Sequence, residues 1–111
     1  MAGASAALFV NRKIQQRNVM LFSKSYSPEC KIVKDILKKY NLSSNFYEAT
    51  EIEKRQDCTQ IENYFQVLCL TNNRAVPQLF VDQKYIGGYD EILQMDESGQ
   101  LERLLIQFVD K

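Results

Sequence analysis

The chain contains no histidine. Serine–histidine–aspartate and cysteine–histidine catalysis are therefore excluded, as are histidine-ligated zinc and imidazole acid–base chemistry near neutral pH. Net charge is also lacking. Fourteen Lys+Arg balance fourteen Asp+Glu, which gives no electrostatic reason to expect nucleic acid as a partner. No apolar run approaches the length of a membrane span, so no membrane is expected either. Met1 to Ala7 is small and alanine-rich but has no positive n-region and no long apolar core, and is read as no secretory signal. The three cysteines, Cys30, Cys58 and Cys69, form no C-x-x-C pair. An odd number of thiols without such a signal suits a reducing, cytoplasmic compartment. Cys58 and Cys69, if both lie on one helix, stand about three turns or roughly 16 Å apart, too far for a disulfide. Both are expected as buried thiols that pack like small hydrophobes.

What is present is enough for one packed domain over 1–111, since 45% of the 111 residues are hydrophobic. The most informative stretch is Val19 to Cys30. Val19-Met20-Leu21-Phe22 is a continuous apolar run, as expected of an interior strand covered on both faces. Ser27-Pro28 then reads as a helix start: serine is a favoured N-cap, and proline at the first helical position gives up only an N–H that would be unpaired anyway. Cys30 follows one turn later, on the same face as Ser27. Position 27 feels the unpaired N–H groups and the positive end of that helix, a place suited to a thiolate or another anion. Here a hydroxyl occupies it.

Along the rest of the chain, Ala4 to Gln16 is expected as a short amphipathic helix carrying Leu8, Phe9 and Ile14. Pro28 to Tyr40 carries a helical stripe of Cys30, Ile32, Val33, Ile36, Leu37 and Tyr40. Lys31, Lys34, Lys38 and Lys39 fall mostly off that stripe, as a solvated face or a weak guide for an anionic ligand. Asn41 to Asn45 is turn chemistry, Phe46 to Ala49 a second strand, and Thr50 to Gln56 a polar loop. A helix starts near Asp57, presents Ile61, Tyr64, Phe65 and Leu68, and ends before Thr71. Gln78 to Val81 and Lys84 to Ile86 form a hairpin across the tight turn Asp82-Gln83. Gly87-Gly88 breaks the strand. Asp90 is placed to cap a final helix, which runs through Leu93 to Val109 with a kink or break at Ser98-Gly99. The order α-βα-βα-ββ-α implies an α/β fold with one parallel strand pair and an antiparallel half.

Several segments in this order resemble the glutaredoxins, the glutathione-dependent branch of the thioredoxin fold. Phe22 to Cys30 looks like the family's strand–helix active-site segment, which usually ends C-P-Y-C. Arg74-Ala75-Val76-Pro77 is similar to its T-V-P segment, Ile86-Gly87-Gly88-Tyr89-Asp90 to its G-G-x-D motif, and Ser98-Gly99-Gln100-Leu101 to its S-G-x-L. The resemblance implies a thioredoxin fold with a four-stranded mixed central sheet flanked by helices. It implies glutathione as cosubstrate or ligand, and glutathione or glutathionylated proteins as partners of a monomer. In the family a cysteine at the helix start is the nucleophile, its pKa lowered from about 8.5 into the range of roughly 3.5–7.5 by helix N–H groups. Ser27 holds that position, and Cys30 the resolving one. Lys24, Tyr26, Ala75, Val76, Pro77, Gly88, Tyr89 and Asp90 hold the glutathione-binding positions. Lys24 would face the glycine carboxylate and Asp90 the ammonium. Val76 would pair main chain to main chain with the glutathione cysteine. Free N–H groups near Gly88 and Tyr89 would take the γ-glutamyl carboxylate. By the same resemblance Val76–Pro77 is a cis bond.

Three departures fall in one corner: Ser27 for the nucleophilic cysteine, Glu29 for an aromatic, and Ala75 for threonine. A hydroxyl is a weak nucleophile without a base and forms no disulfide. Glu29 suits the helix dipole but opposes a nearby thiolate. No metal is expected, and no iron–sulfur cluster, because the ligand in cluster-binding relatives is the thiolate at the helix start. Three functions are compatible with these residues. The first is glutathione binding with impaired turnover. The second is an active oxidoreductase, working through Cys30 or reading Ser27 as an engineered exchange of a cysteine. The third is a non-catalytic interaction module.

Overall fold

The computed structural model describes residues 2–68 and 75–110, with side chains from residue 4. Cys69, Arg74 and the expected end of the third helix before Thr71 lie outside the described residues. The elements are α1 (Ala2–Gln16), β1 (Val19–Ser23), α2 (Pro28–Lys39), β2 (Tyr47–Glu51), α3 (Cys58–Leu68), β3 (Gln78–Val81), β4 (Lys84–Gly87), α4 (Tyr89–Ser98) and α5 (Gln100–Leu105), closed by a 3₁₀ turn at Ile106–Phe108. The sheet order is β2-β1-β3-β4. β1 runs parallel to β2 and antiparallel to β3, and β3 runs antiparallel to β4. The mixed four-stranded sheet and flanking helices are those of the thioredoxin fold.

β1 is wholly buried because both its faces are covered. Met20 and Phe22 point into one cluster with Ala6, Val10 and Ile14 of α1 and Ile61 and Phe65 of α3. Val19 and Leu21 point into another with Val33 and Leu37 of α2, Ile92 of α4 and Leu101 and Leu105 of α5. Aromatic rings close the first core: Phe22 lies 5.1 Å from Phe65 and 5.8 Å, edge-on, from Phe80.

Four expectations are corrected. The buried stripe of α1 is Ala6, Val10 and Ile14, at i, i+4 spacing, while Leu8 is 51% exposed. Phe46 precedes β2 rather than opening it. Thr50 and Glu51 belong to β2, paired with Phe22 and Ser23, so the polar loop starts later. They looked like loop because β2 is an edge strand with no fully buried residue, and its polar side chains meet solvent and cations. Asp90 does not cap α4: Gly88 is its N-cap, and Asp90 sits in the first turn. Elsewhere the turn chemistry is as expected. Asp82 and Gln83 both have positive φ, the geometry of a two-residue hairpin turn. Gly99 divides the last helix in the left-handed conformation, at φ 81°.

Candidate functional site

The register gathers the segments named from the sequence at one end of the sheet. Phe22 pairs with Gln78, and Leu79 with Gly87. The C-terminal end of β1, the start of β3 and the end of β4 therefore lie side by side. Lys24 to Ser27 continue from the first, Ala75 to Pro77 lead into the second, and Gly88 to Asp90 come after the third. Ala75 and Asp90 are exposed, Tyr26 is 65% exposed, and Val76 and Pro77 are buried. The Val76–Pro77 peptide is cis. A cavity of about 540 Å³ elsewhere is lined by Ser5, Arg55, Gln56, Asp57 and Gln60, none of them among the residues expected at the site.

At the helix start, Ser27 is the N-cap of α2 and Pro28 its first residue. The Cys30 N–H donates to Ser27 Oγ at 3.3 Å, satisfying one of the unpaired helix donors. The Ser27 hydroxyl itself donates to Glu29 Oε2 at 3.2 Å. So the position that suits an anion holds a neutral oxygen, used as a cap and turned toward a carboxylate. Cys30 is fully buried, and its sulfur accepts from the Lys24 N–H at 3.4 Å. The Cys30 sulfur is thus closed off from solvent.

Two of the expected ligand-binding groups have partners within the chain. Lys24 Nζ lies 3.1 Å from Glu62 Oε2 on α3. Burial lowers the Lys24 pKa, but the hydrogen bond and charge of Glu62 outweigh it, and the net direction is up. The Gly88 N–H is not free as expected: it donates to Glu91 Oε1 at 2.8 Å. Gly87 is required beside it, because at φ 156° a Cβ there would lie 2.4 Å from Glu91 Cβ. Glu62 and Glu91 were not singled out from the sequence. Glu91 had a signal, its spacing three residues after the helix cap. Glu62 had none, since only the packing of α3 against α1 and β1 aims it at Lys24.

Other groups at this end are also paired. Ser23 Oγ donates to Glu51 Oε2 at 2.6 Å, Lys34 meets Glu51, and the Ser25 hydroxyl meets Glu53. Lys34 and Lys39, expected as a solvated face, thus form ion pairs, Lys39 with Asp96 at 3.0 Å. Cys58 is half-buried rather than buried. Burial pushes its thiol pKa up; Lys24 opposes this, and Glu62, Asp57 and Glu53 add to it. These surroundings favour the neutral thiol of Cys58 over its thiolate. Among the described residues no group of three or more cysteine or carboxylate side chains is arranged to hold a metal ion, and no helix is long and apolar enough to cross a membrane.

The Glutaredoxin family model matches residues 19–86. Glutaredoxin-C8 of Oryza sativa subsp. japonica is 35% identical over 92% of this chain and 73% of its own length. The crystal structure of oxidized glutaredoxin 2 from Chlamydomonas reinhardtii superposes with a TM-score of 0.80 at 29% identity, covering 96% of each chain. A buckwheat glutaredoxin–glutathione complex shares the fold, with a TM-score of 0.82 at 23% identity, covering 98% of this chain and 96% of its own.

Proposed function

This chain belongs to the glutaredoxin family, and from that membership we propose that it binds glutathione, or the glutathionyl group of a modified protein, in a groove beside the start of α2, with thiol–disulfide turnover impaired by Ser27. The observation that carries the reading is the register at one end of the sheet, where Phe22 pairs with Gln78 and Leu79 with Gly87. It puts Lys24 and Tyr26, Ala75 to Pro77, and Gly88 to Asp90 on three adjacent segments. The buckwheat protein of the same fold is solved with glutathione. In the bound state Val76 would add the ligand's cysteine as a short strand, Lys24 would take the glycine carboxylate, and Asp90 the ammonium. Tyr26, exposed beside Ser27, would cover the sulfur.

Impaired turnover is supported by chemistry. Exchange needs a thiolate at the helix start, and an alcohol there neither attacks a disulfide at useful rates nor leaves as a sulfur would. Burial of Cys30 supports the same view, because thiol exchange needs access to the sulfur. The test is an amide NMR titration with reduced glutathione to millimolar concentration. Shifts are expected at Lys24, Tyr26, Val76 and Gly88 to Asp90. A spectrum unchanged at all of these positions would overturn the reading.

A further inference from the structure

Lys24 is the cation assigned above to a ligand carboxylate, and it already has one. Its ammonium and the Glu62 carboxylate lie 3.1 Å apart, each side chain 18% exposed. A pair so covered is screened by salt less than an exposed one. Glu62 is held in place by its helix: its neighbour Ile61 is fully buried in the core, and its other oxygen, Oε1, lies 4.0 Å from Cys58 Sγ one turn earlier. An ammonium hydrogen-bonded to a carboxylate is also the contact that a ligand's glycine end would make. Two carboxylates cannot share one ammonium without repelling each other.

We propose that Glu62 is an internal competitor for Lys24, and that it sets the specificity of this groove against ligands ending in a free carboxylate at that point. The inference rests on the glutathione reading and adds a selectivity to it. Free glutathione must displace Glu62, or share the ammonium with it and bear the repulsion between the two carboxylates. A glutathione derivative whose glycine carboxylate is esterified has nothing to displace. It keeps the thiol, the peptide backbone and the γ-glutamyl end, so it loses nothing at Val76 or Asp90.

The experiment compares glutathione with its glycine monoethyl ester on the unaltered chain and on Glu62→Gln, by amide NMR titration. Glutamine keeps the size and helix preference of glutamate. Because the charge is removed and Lys24 is freed, glutathione should bind Glu62→Gln about fivefold tighter than it binds the unaltered chain. The ester should bind both proteins within about twofold. A general loosening of the site would move both ligands together, so the difference between them is the readout. Glu62→Ala serves as a second variant with the same expected split. The proposal is overturned if glutathione binds the unaltered chain and the variants equally, or if both ligands gain alike. In those cases the glutathione reading survives. If neither ligand shifts any of the proteins, the glutathione reading fails and this proposal with it.

Discussion

At the scale of the residue, Ser27 does two things that a cysteine there could do only in part. Its oxygen accepts the Cys30 N–H and its proton goes to Glu29. A thiol is a weaker partner in both contacts, and its anion would face the Glu29 carboxylate. The backbone nonetheless keeps a proline-started helix and an extended cap residue, and the Cys30 N–H that now serves the hydroxyl would point at a sulfur placed at position 27. Ser27→Cys is therefore expected to raise glutathione-coupled reduction of a small mixed disulfide by at least roughly a hundredfold over the unaltered chain. An inactive Ser27→Cys that still binds glutathione would show that the scaffold, and not the hydroxyl, blocks turnover. Adding Glu29→Gln to that variant removes the facing carboxylate. The midpoint of its alkylation by iodoacetamide should then fall by about half a pH unit. No movement of the midpoint would mean that Glu29 turns to solvent once the hydroxyl is gone.

At the scale of the element, α2 is tied to α4 by one carboxylate. Asp96 accepts from the Tyr40 hydroxyl and pairs with Lys39 at 3.0 Å. The Tyr40 hydrogen bond holds the Asp96 carboxyl below the usual carboxylate range, with Lys39 assisting and burial opposing. A carboxyl whose folded pKa is depressed gives stability that is present above its unfolded pKa, near 4, and lost as pH falls through the folded value. Asp96→Asn should thus lower urea stability by about 1 kcal/mol at pH 7 and by much less near pH 2. An equal loss at both pH values would assign the effect to packing. The same contact acts on Tyr40, pushed up to about 12 by burial and then by Asp96. A group whose folded pKa is raised gives stability present below its unfolded value, near 10, and lost through about 12. Asp96→Asn should return the Tyr40 titration, followed by NMR, toward 10.

The same elements show what can be read from the chain and what cannot. β1 was legible because a strand buried on both faces is apolar throughout, and α2 because serine and proline mark its start. The turn at Asp82-Gln83 and the break at Ser98-Gly99 were legible from local chemistry. The end of β2 was hidden, because Thr50 and Glu51 pair on one side only and carry polar side chains that tertiary contacts, not periodicity, make strand-like. Leu8 misled for the converse reason: an exposed leucine is ordinary, and only packing tells it from the small Ala6 that takes the core position. At the site, the groups that would receive a ligand were visible as motifs. Glu62 and Glu91, which hold two of those groups, were not, since pairing across 38 residues leaves no local trace at Glu62.

At the scale of the molecule, the site hangs from the most protected part of the fold. β1 pairs on both sides, and its alternate side chains feed both hydrophobic clusters, one with α1 and α3 and the other with α2, α4 and α5. Separating β1 from the sheet opens both cores at once, so local fluctuations cannot expose it cheaply. β2 and β4 are edges, with mostly half-buried residues. Ser23, the last residue of β1, leads directly into Lys24 and the helix start, while Val76-Pro77 enters β3, the other central strand. Two of the three segments of the candidate site are thus fixed to the sheet centre and one to an edge, β4. Native-state hydrogen exchange in rising denaturant should find the Met20, Leu21 and Phe22 amides opening only with global unfolding, and those of Tyr85 and Ile86 opening sooner. Added glutathione should slow exchange at Gly88 to Asp90 more than at Lys24, because the edge segment has more motion to lose. Equal protection of β1 and β4 without ligand would sink this ordering. It would then be the whole sheet, and not its centre, that holds the site in shape.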